Sequence, residues 1–351
     1  MTDDSLSSHL DRATLEPNPA VAAQANGTAD LYAAAEADHE GFWAEQARKY
    51  VTWAKDFDTT LDWSEAPFAK WFVGGELNVA YNCVDRHVEA GHGDRVAIHF
   101  EGDQGDTRTI TYADLQREVS KVANALTELG VGAGDTVMIY MPMIPETVFT
   151  MLACARLGAP HSLVFGGFSA EALHTRIDDA KAKIAVTTDG QWRRGKPAPL
   201  KAAVDEALEH DDNTVEKVLV VRRTGTEVAW TEGRDIWWED IVPRQSETHT
   251  PQSFDSEHPL FILYTSGTTG KPKGIFHTSG GYLTQAAYTN QIVHDVHPET
   301  DVYWCTADVG WVTGHSYIVY GPLANGAMTT MFEGVPNWPT PSRIWEVVDK
   351  H

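Results

Sequence analysis

The densest cluster of side chains able to do chemistry in this 351-residue chain is the run Tyr264 to Gly274, YTSGTTGKPKG. Thr265, Ser266, Thr268 and Thr269 supply hydroxyls, Gly267 and Gly270 leave backbone amides bare, and Lys271 and Lys273 bring positive charge. The apolar run Phe261 to Tyr264 leads straight into it, so a buried strand would hold one end still. Glycine permits positive φ and close backbone approach. Clustered amides and hydroxyls beside lysine surround a phosphate group with donors. The ligand that suits this set is a polyphosphate. The run is not a Walker A loop, because Thr265 stands where that motif needs Gly and Pro272 where it needs Ser or Thr; nor is it GxGxxG. The competing reading is a flexible surface turn, since Gly, Ser and Thr crowd many loops.

The elements that must position this loop follow from periodicity. Short β-branched runs predict strands at Arg95 to Phe100, Thr136 to Met141, His161 to Val164, Ile184 to Thr188, Lys217 to Val221 and Phe261 to Thr265, with a hairpin opening around Gly102 to Asp106. Helix-length segments lie between them: Tyr112 to Leu129, Ile144 to Leu157, Ala170 to Ala180 and Leu200 to Leu208. Such β-α alternation predicts an α/β fold with doubly wound, mainly parallel sheets covered by helices on both faces. Ligands of such sheets sit at the carboxyl ends of the strands. Residues 1–38 mix Ala, Ser, Asp, Asn and Pro without periodicity and read as a flexible acidic lead-in. Glu40 to Lys55 has helical spacing, and the following segment turns at Gly74-Gly75 into a second helix. The last residues, Arg343 to His351, lie inside an amphipathic helical pattern with no Gly, Asn or Pro stop, which predicts a chain that continues.

Those residues carry a resemblance. Tyr264 to Gly274 resembles the signature loop of the adenylate-forming superfamily, and WFVGGELNVAYNCVDRH, LVFGGFSAEAL, ADVGWVTGHSYIVYGPL and FEGVPNWP resemble segments of its acetyl-CoA synthetase branch. The likeness spans residues 40–351. It implies the large N-terminal domain of that fold, with residues 39–94 as the branch's N-terminal helical segment, residues 95–351 as an incomplete AMP-binding domain, and the small C-terminal domain absent. It also implies the reaction: acetate attacks the α-phosphorus of MgATP to give acetyl-adenylate and pyrophosphate, and the coenzyme A thiol then displaces AMP. ATP, Mg²⁺, coenzyme A and acetate are thus the implied small molecules. Propionate or another short-chain acid is the rival substrate, and a non-catalytic nucleotide or coenzyme A module the rival class.

The resemblance assigns residues too. Thr265, Ser266, Gly267, Thr268, Thr269, Gly270 and Lys271 take the ATP phosphates, and Trp311, Val312 and Thr313 wall a pocket short enough for acetate. Arg193, Arg194, Gly195 and Lys196, with Thr313 and Asn337, are the implied coenzyme A contacts; Lys196 replaces an expected Arg, keeping charge but losing the bidentate fork. Each has a plainer reading: a buried aromatic cluster at Trp311, a solvated basic turn at Arg193 to Lys196, a turn Asn at Asn337. The downstream adenine contacts, hinge and mobile domain with its Lys are not found before His351, so this polypeptide by itself is expected to be inactive or nearly so.

Composition narrows the partners. Asp and Glu total 50 against 27 Lys and Arg, a formal charge of −23, which argues against nucleic acid and anionic membranes. Cys83, Cys154 and Cys305 are isolated and make neither a disulfide framework nor a zinc motif. No apolar run is long enough to span a bilayer, because Val137 to Phe149 is broken by Pro142 and Pro145. A cytoplasmic location is the expectation. His277, His315, His294 and His297 lack Cys or carboxylate partners in sequence and imply no metal; Asp178-Asp179 and Asp211-Asp212 read as acidic surface. An acid excess of this size is kept compact by screening, which points to a halophile's protein. The expected outcome is a melting temperature that rises between low and molar salt; a flat or falling one contradicts it.

Overall fold

The computed structural model describes residues 17–210, 212–265 and 272–351. Its larger sheet has seven strands, running edge to edge Asp235–Trp237, Lys217–Val221, Ile184–Thr188, Val137–Tyr140, His161–Leu163, Pro259–Thr265 and Lys273–Thr278. The first six are parallel and the last returns antiparallel. Val137–Tyr140 and Ile184–Thr188 are buried at every position, as strands covered on both faces must be. A second sheet orders Val302–Tyr303, Met328–Phe332, Val96–Glu101 and Thr107–Thr111, the first three parallel and the last closing the predicted hairpin.

The helices start and stop where the sequence supplies caps. Thr111 and Asp114 form a capping box at the head of Tyr112–Glu128, and Leu115, Val119, Val122 and Leu126 bury one face. Pro145 begins Pro145–Leu157, which ends at Gly158 in the left-handed conformation. Ser169 caps Ala170–Ala180. Each fully buried Leu or Val in these helices contributes about 1.5–3 kcal/mol.

Two departures from the sequence reading stand at the N-terminus. Pro19–Gln24 and Ala29–Ala37 are helices, where no periodic element was expected. Asn18 caps the first, Pro19 starts it, and Ala-rich composition carries both without a buried face. Asn26 ties the stretch down by donating its backbone N–H to Asp295 Oδ1 at 2.7 Å. The next helix, His39–Tyr50, stops short of Lys55, and the helical stretch beyond Gly74-Gly75 carries wide π-type turns at Tyr81–Asp85 and Val88–His92.

One buried ion pair locks helix to helix. Arg156 donates from both terminal nitrogens to Asp85 at 2.7 Å each, and Gln116 Nε2 donates to the same carboxylate at 2.9 Å. Both charges are almost fully enclosed. Removing one partner strands the other, so Asp85→Ala should cost about 3–5 kcal/mol in urea unfolding, against under about 1 kcal/mol for Asp56→Ala at the exposed Arg48–Asp56 pair.

Candidate functional site at the carboxyl ends of two sheets

Strand order decides where a site can form. The chain lays His161–Leu163 on one side of Val137–Tyr140 and then crosses to place Ile184–Thr188 on the other. The crevice at such a switch point opens at the strands' carboxyl ends. Met141 and Phe165 lie just beyond those ends, Thr265 is the last residue of its strand, and Arg193 ends the hairpin strand Gly190–Arg193 that follows Ile184–Thr188. Asp103, Asp308 and Glu333 follow the parallel strands of the second sheet in the same way.

On one side lies a cleft of about 810 Å³ whose wall includes Thr265 and Pro272, the described ends of the glycine-rich loop, with Trp311 and Val312. Thr265 and Lys273 face each other in antiparallel register, so sheet pairing fixes both ends of that loop. Ser266, Gly267, Thr268, Thr269, Gly270 and Lys271 lie outside the described residues. Trp311 is 52% exposed, which sets aside the buried-cluster reading, and its ring stands 6.4 Å from Phe165 and 6.5 Å from Phe168. Val312 and Thr313 are exposed beside it. The opposite wall holds Arg176, whose guanidinium lies 4.7 Å over Phe168 and 5.3 Å over Tyr264. Tyr264 in turn donates to Asp179 at 2.7 Å.

The turn that carries Trp311 is fixed from below. Asp308 Oδ1 accepts the Gly310 N–H at 2.8 Å, and a Cβ on Gly314 would come within 2.1 Å of the Asp308 carbonyl oxygen, so only glycine fits there. His315 is fully buried; its Nδ1 lies 3.2 Å from the Trp311 carbonyl, which can only accept. Burial pushes the His315 imidazole down to about 4, and burial with His315 alongside holds His161 well below the usual histidine range. Neutral, His161 stacks on His315 and on Phe261, and Phe261 in turn stacks on His277.

On the other side lies the basic turn. Gly190–Arg193 pairs with Lys196–Pro199 through a two-residue connection in which Arg194 has φ 52° and Gly195 φ 73°, the conformation that right-twisted hairpins favour. Asp103 Oδ1 accepts the Arg194 N–H at 3.2 Å and Oδ2 the Gly195 N–H at 2.7 Å. Trp338 covers Gly195, where a Cβ would come 3.0 Å from the indole, and this brings Asn337 beside the turn. Arg193, Arg194, Lys196 and Asn337 are exposed. A narrow cleft behind the turn is shared by Arg193, Phe165, Asp308 and Glu333. Of the predicted residues that are described, Thr265, Trp311 and Val312 thus line one cleft and Arg193 a second, and Phe165, which lines the second, stands 6.4 Å from the Trp311 ring of the first.

Sequence reasoning missed the carboxylates that hold this crevice together. Glu333 accepts from Arg223 Nε at 2.8 Å and from the Trp192 N–H at 3.4 Å, and Asp189 accepts the N–H groups of Gly190, Arg223 and Gly225 at 2.8, 2.7 and 2.6 Å. Burial raises Asp308 above the usual carboxylate range, with the Gly310 N–H and the Arg193 charge pulling the other way. Local spacing does not mark Glu333 or the Asp189–Arg223 link, since Trp192 and Arg223 are far from Glu333 in sequence and Arg223 is far from Asp189.

Two family models match the chain: AMP-binding enzyme over residues 84–351 and acetyl-coenzyme A synthetase N-terminus over residues 28–83. The chain belongs to the AMP-binding enzyme family. This family member is 66% identical, over its whole length, to acetyl-coenzyme A synthetase of Streptomyces avermitilis, of which it covers 54%. It is 65% identical over 95% of its length to the enzyme of that name from Mycobacterium bovis, covering 52%, and 55% identical over 96% to that of Rubrobacter xylanophilus, covering 52%. The chain therefore spans about half the length of these relatives. Among the described residues no helix is long and apolar enough to cross a membrane.

Burial pushes Glu333 up to about 7 from an ordinary 4.5, outweighing the opposing Arg223 guanidinium. A raised folded value means that the fold binds this proton more tightly than the unfolded chain does. That stabilisation is full below 4.5 and is lost as pH rises through about 7. Relative to wild type, Glu333→Gln should gain on the order of 1–3 kcal/mol of unfolding free energy between about pH 5 and about pH 8. Denaturant melts across that range check it, and a constant difference contradicts it.

Proposed function

We propose that the protein is an AMP-forming acetate–coenzyme A ligase and that this chain supplies its phosphate loop, acyl pocket and part of its coenzyme A site. The observation that carries the proposal is the single cleft that joins Thr265 and Pro272 to Trp311 and Val312. A group bound there touches the mouth of a phosphate loop and a bulky apolar wall at once, as an acyl phosphate anhydride requires. The 66% identity to acetyl-coenzyme A synthetase supports the substrate choice.

The roles of the residues follow from their chemistry. Adenylation depends on charge neutralisation and in-line positioning more than on covalent help from the protein. MgATP enters as substrate, its metal shielding the phosphates. Hydroxyls and amides of residues 265–270 with Lys271 would hold those phosphates while the acetate carboxylate attacks the α-phosphorus. Trp311 and Val312 would exclude longer acyl chains, and Thr313, next to Val312 in the chain, would contact both acetate and coenzyme A. Arg193, Arg194, Lys196 and Asn337 then offer cations and a polar group to the phosphorylated end of coenzyme A, whose thiol attacks the acyl carbon and releases AMP. Lys273 faces Thr265 across the loop's base, adding charge close to the departing pyrophosphate.

The acid excess supports adaptation to high salt, and three isolated cysteines, two of them buried, support a reducing cytoplasm. Residues 39–94 are proposed as a segment distinct from the AMP-binding body.

Each methylene accommodated or excluded changes discrimination by roughly 1–3 kcal/mol. Trp311→Gly in the full-length protein should therefore raise the propionate-to-acetate ratio of kcat/KM by about 10–200-fold. A wild type that already prefers propionate, or a variant with an unchanged ratio, contradicts acetate specificity set at Trp311.

A further inference from the structure

Away from both clefts, His174, His210 and Asp212 each offer one ligand atom within 4.8 Å of the others, and they form the only such group of three or more among the described residues. His174 sits on the helix Ala170–Ala180 with its side chain 15% exposed. Its Nδ1 lies 3.2 Å from the carbonyl oxygen of Ala207, the last residue of the helix Lys201–Ala207. A carbonyl only accepts, so in the neutral ring Nδ1 carries the proton and Nε2 presents its lone pair outward. That nitrogen faces Asp212 Oδ1 at 3.7 Å, too far for a hydrogen bond. The exposed His210 ring stacks on His174 with centroids 3.7 Å apart. Two imidazoles and a carboxylate thus crowd together with no hydrogen bond among them, and a cation would bridge them once the exposed His210 ring turns off the stack to aim its in-plane lone pair at the same point.

The donor set selects the cation. Imidazole nitrogen with one carboxylate oxygen suits Zn²⁺, Co²⁺, Ni²⁺ or Cu²⁺, whereas Ca²⁺ and Mg²⁺ prefer all-oxygen cages. A backbone carbonyl holding the far nitrogen of a ligating histidine is the usual orienting contact behind such metals, and the Ala207 carbonyl occupies that place at His174. We infer that His174, His210 and Asp212 form a binding site for one divalent transition-metal ion of the zinc class, with water completing the coordination. This departs from the expectation, drawn from sequence spacing, that the chain binds no metal.

The ion would staple two parts of the fold. His174 belongs to the helix that also carries Arg176 and Asp179, the residues against Phe168 and Tyr264 in the larger cleft. His210 and Asp212 belong to the connection that follows Lys201–Ala207. A bound metal would fix that helix to its neighbour and steady one wall of the cleft without touching substrate. The inference stands whether or not the ligase proposal holds.

Zinc uptake by the chelator-stripped full-length protein tests it, read by isothermal titration and by melting temperature with Zn²⁺ alone. His210→Ala and Asp212→Asn remove exposed ligands and leave the packed helix face untouched; His174→Ala removes the third. Wild type should take up one equivalent of Zn²⁺ more than His174→Ala. His210→Ala and Asp212→Asn should bind that equivalent at least tenfold more weakly and lose the upward melting shift. Equal uptake and equal shifts in wild type and all three variants overturn the site, as does an equivalent that Mg²⁺ fills as well as Zn²⁺ does.

Discussion

Carboxylates from the smaller sheet reaching across to the larger one are the interaction on which the site depends. Asp103 ends one strand connection and accepts two backbone N–H groups of the Arg194-Gly195 turn. Glu333 ends another and accepts from Arg223 and the Trp192 N–H. Asp308, on a third, holds Gly310 and faces the cleft that Arg193 shares. Charge-assisted bonds of this kind are stronger than neutral ones, and burial keeps water from competing for them. Through Asp103 and Glu333 these bonds tie the carboxyl end of the smaller sheet to the Arg194-Gly195 turn, Trp192 and Arg223.

This clasp also accounts for how an acidic protein keeps a basic turn exposed. The carboxylates at the turn are spent on backbone amides and on Arg223, so Arg193, Arg194 and Lys196 stay exposed. The glycine-rich loop is handled by a different device. Its two ends are held by the pairing of Thr265 with Lys273 at the sheet edge, and its donors therefore start from a rigid base. Rigid strands that carry a short polar loop are the arrangement by which catalytic groups are positioned with little cost on binding.

Much of the scaffold was legible because its signals are local. Ile184–Thr188, Lys217–Val221 and Ala170–Ala180 fall at the predicted residues, since β-branched runs and a Ser-capped amphipathic stretch leave few alternatives. The reading of Tyr264 to Gly274 as a phosphate loop rests on residue type alone. The carboxylate clasp was illegible for the opposite reason: Glu333 meets Trp192 across 141 positions, and Asp103 meets Gly195 across 92. The N-terminal helices at Pro19–Gln24 and Ala29–Ala37 escaped because they bury no side chain and so show no apolar stripe. The grouping of His174 with His210 escaped as well, because a contact between a helix and a distant connection has no spacing rule.

The central claim is that Thr265, Trp311 and their neighbours frame one cleft in which an acid is joined to AMP before coenzyme A takes part. Acetate-dependent exchange of labelled pyrophosphate into ATP, run with the full-length protein and no coenzyme A, measures that step directly. The account predicts exchange that requires acetate and Mg²⁺ and proceeds without the thiol. Exchange no greater than in the acetate-free control, or exchange that appears only when coenzyme A is added, would contradict it.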